Sequence, residues 1–155
     1  MADLVGEVAE AVRAGEAREK SVQVENLVLR NLFVDGDAEQ LKQVLWNLVR
    51  NAVQATPAGG HVRLDLFPQV RHGERYAVMT VSDTGKGIDP INTAKIFNPF
   101  FTTKEGGTGL GLSISQRIIQ IHRGFIEVRS QPGHGSIFSV FLIERERDAG
   151  GDGTR

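Results

Sequence analysis

Apolar residues recur at helical spacing in several segments of the chain. Residues 3–15 carry leucine, valine and alanine at intervals of three and four, which predicts an amphipathic helix. A similar pattern begins at Gly109 or Leu110 and ends at His122, and a short helical turn is predicted around Ile91–Ile96. Each of the two longer segments is expected to present one apolar face to a core.

The longest helical pattern lies in the middle of the chain. Asp37 is a suitable N-cap, and Gln40 three positions later resembles its capping-box partner. The apolar stripe continues to about Ala55, after which Thr56-Pro57-Ala58-Gly59-Gly60 predicts the end of the helix. The pattern therefore predicts a long helix over residues 37–55.

Strand-like alternation of apolar and polar residues marks much of the remaining chain. The predicted strands are Val22–Val34, His61–Phe67, Tyr76–Ser82, Phe125–Arg129 and Ser136–Ile143. Polar residues 71–75 and a turn at 131–135 are expected to join neighbouring strands, which makes the sheet mixed but mostly antiparallel. Three helices against one such sheet predict the α+β class, as a two-layer α/β sandwich.

Composition excludes several functions. The chain has 155 residues, 40% of them hydrophobic, and we predict one domain over residues 1–147 with a disordered tail at 148–155. A net charge of −1 gives no reason to expect nucleic-acid binding, and the lack of cysteine excludes disulfides and thiolate chemistry. No apolar run spans a bilayer and no signal peptide is recognisable, so we expect a cytoplasmic, monomeric domain; any membrane anchor of a parent protein would lie outside this chain.

A row of neutral amides follows one face of the predicted 37–55 helix. Gln43, Asn47, Asn51 and Gln54 are spaced so that they share this face. The row is either a solvated surface or a set of oxygens directed at a ligand. Solvated faces usually carry charged residues and asparagine is a poor helix former, which favours the ligand. Because an Asn carbonyl can bind Mg²⁺ beside phosphate oxygens and water, the row indicates a polyphosphate site.

Two glycine-rich segments follow the predicted strands. Asp83 ends a buried strand and precedes Gly85 and Gly87, so its carboxylate can accept a hydrogen bond from the exocyclic amine of adenine, although the same residues more often mark a tight turn. The second segment, 106–111, has four glycines and leads directly into a helix, as phosphate-binding loops do. It matches neither the P-loop nor the dinucleotide fingerprint. Lys104, just before it, is either a phosphate contact or an exposed loop lysine.

These segments together resemble the catalytic ATP-binding domain of bacterial sensor histidine kinases. In order and spacing, Gln43–Ala52, Val81–Ile88, Phe97–Lys104 and Gly106–Ser115 are similar to its N box, first glycine box, F box and second glycine box. That domain has the Bergerat ATP-binding fold, shared with gyrase, a heat-shock chaperone and MutL-type repair ATPases. The resemblance covers roughly residues 3–144, and its F box looks like that of the nitrogen-regulation kinases.

The resemblance implies a role for each matching residue. Asn51 would ligate Mg²⁺, Asn47 would help to place the phosphates, and both are expected to be catalytic together with Lys104. Asp83 would bind the adenine amine, and the segment from residue 97 to 107 would be a mobile lid. The nucleotide-binding residues implied are Asn47, Asn51, Gln54, Asp83, Gly85, Gly87, Ile88, Phe97, Thr103, Lys104, Gly107, Thr108, Gly109, Leu110, Gly111, Leu112 and Ser136, the last acting through water.

The chain departs from the family pattern at two positions. Many histidine kinases have lysine where Gln54 stands, so charge neutralisation is expected to shift to Lys104. Ser136 replaces the commoner threonine and keeps the hydroxyl. A third position separates subfamilies, because the ATP hydrolases and serine kinases of the superfamily have a glutamate base where this chain has Asn47. Asparagine cannot take a proton, whereas a histidine acceptor needs no such base.

The expected function is transfer of the γ-phosphate of Mg·ATP to a histidine in two-component signalling. None of His61, His72, His122 and His134 lies in the family's acceptor context, so the acceptor is expected on a separate dimerisation domain of the parent kinase. A response regulator is then an indirect partner. Two alternatives stay open, a free-standing anti-sigma-type serine kinase and a nucleotide-responsive binding module without catalysis.

Overall fold

The computed structural model describes residues 1–146, so the tail predicted at 148–155 lies outside the described residues. The helices are α1 Ala2–Ala14, α2 Glu16–Lys20, α3 Ala38–Ala55, α4 Pro90–Thr93 and α5 Gly111–Ile121. The strands are β1 Gln23–Asn26, β2 Phe33–Val34, β3 His61–Arg71, β4 Glu74–Asp83, β5 Phe125–Ser130 and β6 Ser136–Arg145. Within the described residues, no helix is both long enough and apolar enough to cross a membrane.

The strands form one open sheet in the order β1-β3-β4-β6-β2, with β5 also paired to β6. The β1–β3 pair is parallel and the other pairs are antiparallel. Register places Leu64, Val81 and Phe138 in one row across β3, β4 and β6, and all three side chains are buried in the core. The predicted mixed, mostly antiparallel α+β sandwich is confirmed.

The core lies between one face of this sheet and the three long helices. Strand β3 alternates buried and more exposed residues, as expected when only one face is covered. Helix α3 contributes the largest buried set, including Leu45 and Leu48, which have at most 1% exposure. Burying each leucine stabilises the fold by about 1.5–3 kcal/mol. The apolar stripe thus fixes which face of α3 is directed at solvent, and the amide row lies beside it.

The N-cap of α3 also connects it to α5. Asp37 accepts backbone hydrogen bonds from Glu39 and Gln40, at 2.9 and 3.1 Å, so the predicted cap is confirmed. The prediction that Gln40 is the capping-box partner is wrong, because the Asp37 N–H donates to His122 Nε2 at 3.0 Å. His122 Nδ1 lies 2.7 Å from the Ile118 carbonyl, so it carries the proton. His122 is therefore a capping residue between two helices.

Other predicted element boundaries differ from those in the structure. Predicted strand Val22–Val34 contains only β1 and β2, and the five-residue helix α2 was not predicted. The β3–β4 hairpin extends through most of the predicted linker, 71–75, and turns at His72 and Gly73, both with positive φ. Ladder hydrogen bonds form between backbones, so polar side chains did not prevent pairing there.

Candidate functional site

Asp83 forms the floor of the candidate site at the end of strand β4. Register pairs it with Val62 on one side and Ser136 on the other, and only 8% of its surface is exposed. One carboxylate oxygen accepts the Gly85 N–H at 2.8 Å. Burial raises the pKa of Asp83, while hydrogen bonds from the backbone of Gly85 and Ser136 act in the opposite direction. The site thus holds a desolvated carboxyl group whose oxygens can accept a hydrogen bond from a ligand.

The glycines after Asp83 allow the chain to pass between two other elements. A Cβ atom on Gly85 would collide with the Ala55 carbonyl at the end of α3. Gly87 has a φ of +72°, and a Cβ there would collide with the Gln131 carbonyl in the β5–β6 turn. The Lys86 N–H donates to the Ala55 carbonyl at 3.2 Å. This loop is therefore fixed both to α3 and to the β5–β6 turn.

Ser136 and a neighbouring serine lie beside the Asp83 carboxyl group. Ser136 is 5% exposed, and its Oγ lies 2.8 Å from Ser130 Oγ. Ser130 also accepts the Ile88 N–H at 2.8 Å and contacts the Gly135 carbonyl at 3.0 Å. Ser130 was not among the residues predicted from the sequence. Its one sequence signal was its position directly after the predicted strand Phe125–Arg129, six residues before Ser136.

The amide row on α3 contacts Lys104 of segment 97–107, the predicted lid. Lys104 Nζ donates to Asn51 Oδ1 at 2.9 Å and to Gln54 Oε1 at 2.6 Å. Although Lys104 as a residue is exposed, its ammonium is partly desolvated against these amides. This burial, and then the nearby charges of Lys86 and Arg50, lower the pKa of Lys104. The amide oxygens therefore face a cation in this structure.

Asn47 occupies a different position from Asn51. Its Nδ2 donates to the Gly111 carbonyl at 2.9 Å and to Ser115 Oγ at 3.2 Å. Both partners belong to α5, so Asn47 fixes the first turn of that helix onto α3. The space beside Gly111 is filled by the Asn47 amide, which lies 3.1 Å from a Cβ built there. Asn47 thus acts on the second glycine box through the backbone of α5.

The glycine loop starts α5 without a side-chain cap. Gly109 has a φ of +70°, its carbonyl accepts the Phe100 N–H at 2.8 Å, and a Cβ there would collide with the Phe100 backbone. The Leu110 N–H reaches Thr108 Oγ1 at 3.4 Å. The first N–H groups of an uncapped helix attract anions, and here they lie beside the Asn47 contact.

The remaining predicted residues lie in segment 97–107 or pack against the core next to it. Ile88, Phe97 and Leu112 are partly buried and pack against the core. A Cβ on Gly107 would lie 2.8 Å from Thr102 Oγ1, whereas Thr103 is exposed on the lid. The structure thus places the predicted residues around the C-terminal half of α3 and the start of α5; their contacts with a nucleotide remain predictions.

Cationic side chains that sequence analysis did not select surround the end of α3. Lys20 Nζ donates to the carbonyls of Gln54 at 2.5 Å and Val53 at 3.1 Å. Arg50 pairs with Glu16 at 2.6 Å. With Lys86 and Lys104, these groups give positive potential to a region that the neutral amides alone would leave uncharged. The short helix α2 carries Lys20, and no residue pattern placed that helix beside α3.

Comparison with known proteins assigns this arrangement to a family. Residues 36–146 match the family model described as "Histidine kinase-, DNA gyrase B-, and HSP90-like ATPase". The signal transduction histidine-protein kinase AtoS of Escherichia coli is 47% identical over 109 residues, which cover 70% of this chain and 17% of AtoS. The sensory histidine kinase/phosphatase NtrB of Salmonella typhimurium is 49% identical over 117 residues, which cover 71% of this chain and 33% of NtrB.

Solved structures agree with this assignment. The catalytic domain of histidine kinase ThkA has a TM-score of 0.79 at 32% identity, over 92% of this chain and 91% of that one. Full-length ShkA, solved in complex with AMPPNP, has a TM-score of 0.78 at 32% identity, over 92% of this chain and 30% of ShkA. This chain spans a third or less of the length of AtoS and NtrB, so it corresponds to one domain of such proteins. It belongs to the histidine kinase-, DNA gyrase B- and HSP90-like ATPase family, as a catalytic ATP-binding domain of the sensor histidine kinase kind.

Proposed function

We propose that the chain binds Mg·ATP and transfers its γ-phosphate to a histidine on a separate dimerisation and acceptor domain of the parent kinase. A response regulator then receives the phosphate from that histidine. The observation that supports the proposal is that two chemically different groups lie near the C-terminal end of α3, a buried carboxyl group and an amide–lysine contact. Buried Asp83 and the Asn51–Lys104 contact are joined through the Lys86 bond to the last residue of α3, Ala55.

The adenine is assigned to Asp83. Its carboxylate accepts backbone N–H groups on one side and has lone pairs left for the amine of the base. A Cβ on Gly85 would also come within 2.7 Å of Asp83 Oδ1, so the missing side chain keeps this oxygen uncovered, and Ile88 adds partly buried apolar surface. A flat, apolar base with one donor fits such a pocket.

The phosphates are assigned to the other end, beside Lys104 and the first turn of α5. Lys104 supplies a point charge, the uncapped N–H groups of α5 supply donors, and Asn47 fixes them in place. Catalysis then consists mainly of positioning and charge neutralisation.

Asn51 is assigned as the protein ligand of Mg²⁺. Its Oδ1 already accepts a hydrogen bond from an ammonium at 2.9 Å, so the oxygen is oriented toward a cation. Within residues 1–146, no group of three or more histidine and acidic side chains is arranged to hold a metal, which fits an ion shared between Asn51, phosphate oxygens and water. When bound, Mg²⁺ would neutralise charge that develops on the phosphates.

A histidine acceptor fits the chemistry of position 47 better than serine or water. Serine and water need a base to remove a proton during attack, and Asn47 has none to offer. Its amide is also committed to Gly111 and Ser115. An imidazole is a competent nucleophile near neutral pH without that help.

The test is phosphotransfer in trans. The purified chain would be mixed with labelled Mg·ATP and a histidine acceptor domain of the parent kinase. We expect acid-labile phosphohistidine on the acceptor and none with Asn51→Ala, while Gln40→Ala, an exposed change on the same helix, keeps full transfer. Tight ATP binding without phosphohistidine would contradict the proposal and favour a binding module. Acid-stable phosphoserine on a partner would favour the serine kinase.

A further inference from the structure

Three polar side chains stand in one row at the end of the sheet. Antiparallel register pairs Asp83 of β4 with Ser136 of β6, and Ser136 with Ser130 of β5. Each follows the alternation of the buried core residues on its strand, so all three side chains point to the helix-covered face. Ser130 is therefore one strand removed from the proposed adenine-binding carboxylate, with Ser136 between them.

The hydrogen-bond partners in this row determine where the hydroxyl protons of Ser130 and Ser136 point. Ser130 Oγ lies 3.0 Å from the Gly135 carbonyl, which can only accept, so the single Ser130 hydroxyl proton is donated there. The Ile88 N–H at 2.8 Å can only donate to Ser130. The remaining contact of Ser130, 2.8 Å to Ser136 Oγ, then requires Ser136 to donate its proton.

Ser136 consequently has only lone pairs to offer the pocket. Asp83, when ionised, also offers only lone pairs. These two side chains then present only acceptors, so a ligand group that contacts them directly must be a donor. A 6-aminopurine presents an amine at this edge, whereas a 6-oxopurine presents a carbonyl oxygen that would face other acceptors.

We propose that Ser130 is a specificity-determining residue, which selects 6-aminopurine over 6-oxopurine nucleotides by holding the hydroxyl proton of Ser136 away from the pocket. This rests on the proposed function, because it assumes that the base lies against Asp83. Ser130 does not touch the base and acts through Ser136, so it is a positioning residue. Without its oxygen, the Ser136 proton is free to rotate toward the pocket and to serve the 6-oxo group.

The test compares the dissociation constants of ATP and ITP, which differ in the 6-substituent and in the protonation of N1. In the wild-type chain ATP is expected to bind more tightly than ITP. Ser130→Ala should reduce the ITP-to-ATP ratio of dissociation constants by about 2- to 10-fold, the effect of one hydrogen bond. Ser130→Thr, which keeps the hydroxyl, should restore the wild-type ratio. Circular dichroism would verify that each variant is folded.

A double-mutant cycle separates selectivity from simple positioning. Ser136→Ala alone should weaken ATP and leave ITP unchanged, since it removes an acceptor. Adding Ser130→Ala to that variant should leave the ratio as it is, because no Ser136 proton remains to be released. Equal weakening of ATP and ITP by Ser130→Ala would overturn the proposal. If Ser130→Ala did not fold, equal weakening by Ser136→Ala would overturn it.

These outcomes also distinguish the role of Ser130 from the proposed function of the chain. A wild-type chain that binds neither ATP nor ITP contradicts the proposed function itself. A wild-type chain that binds ATP selectively, with a ratio that Ser130→Ala does not change, contradicts only the role of Ser130.

Discussion

Replacing Asp83 with asparagine removes the charge of the pocket floor and changes its size very little. The new side chain has one acceptor oxygen and one NH₂ donor group. Two backbone donors, Gly85 and Ser136, already face this position, so the carbonyl oxygen of the asparagine is expected to turn toward them. Its NH₂ group then faces the pocket, where it meets the amine of adenine donor to donor.

The expected loss is that of one charge-assisted hydrogen bond in a desolvated position. Such a bond contributes about 1.5–3 kcal/mol, which corresponds to a roughly 10- to 150-fold increase in the dissociation constant of ATP. Solvent screening reduces this value little, because Asp83 is only 8% exposed. We therefore expect affinity to fall by at least about tenfold.

Isothermal titration with ATP at saturating Mg²⁺ would measure the effect. Asp65→Asn is the matched control, since Asp65 lies on β3 between buried residues and so on the opposite face of the sheet. It should bind ATP as the wild type does. Unchanged affinity in folded Asp83→Asn would remove Asp83 from the adenine site, and an equal loss in both variants would indicate a general charge effect.

Burial raises the pKa of Asp83 in the folded state, so the wild type should lose stability relative to Asp83→Asn as pH rises from about 4 toward 7; urea unfolding of both chains would measure this difference, and parallel profiles would contradict the shift. Lys104→Met should weaken ATP binding about tenfold and speed hydrogen exchange in the lid, whereas exposed Lys95→Met should do neither; an unchanged lid would mean that the Lys104 contacts do not hold it. Gly87→Ala and Gly133→Ala both place alanine at positive φ, at a cost of about 1–2 kcal/mol. Only Gly87→Ala meets a backbone carbonyl, so thermal and urea unfolding should show about 1–3 kcal/mol more destabilisation there, and equal values would argue against close packing of that loop.

Local sequence patterns were sufficient to predict most of the helices and strands. The three long helices follow apolar spacings of three and four, and the Asp37 cap depends only on groups two and three residues away. The hairpin ends were underestimated, because pairing through Val70 and Arg75 depends on backbone hydrogen bonds that side-chain patterns do not report. Helix α2 is too short to give a periodic signal.

Local sequence also gave the proposed ligand chemistry. Amide oxygens on one helix face and glycines before a helix each indicate a phosphate site from the residue types alone, whereas the role of the carboxylate at the strand end came from the family resemblance. The family comparison agrees with that reading, since it assigns residues 36–146 to an ATPase family. These features are local, because each lies within one helix or one short loop.

Contacts between distant segments were decided only by the tertiary structure. Asn47 and Asn51 are equivalent in their spacing on the face of α3, yet one donates to α5 and the other accepts from Lys104. Ser130 and Lys20 acquire their places beside the site from strand register and from helix packing. The physical reason is the distance along the chain between the groups that interact. Periodicity and capping depend on neighbours within one turn or one strand, whereas the orientation of a hydroxyl proton or an ammonium depends on partners that folding brings together from dozens of residues away.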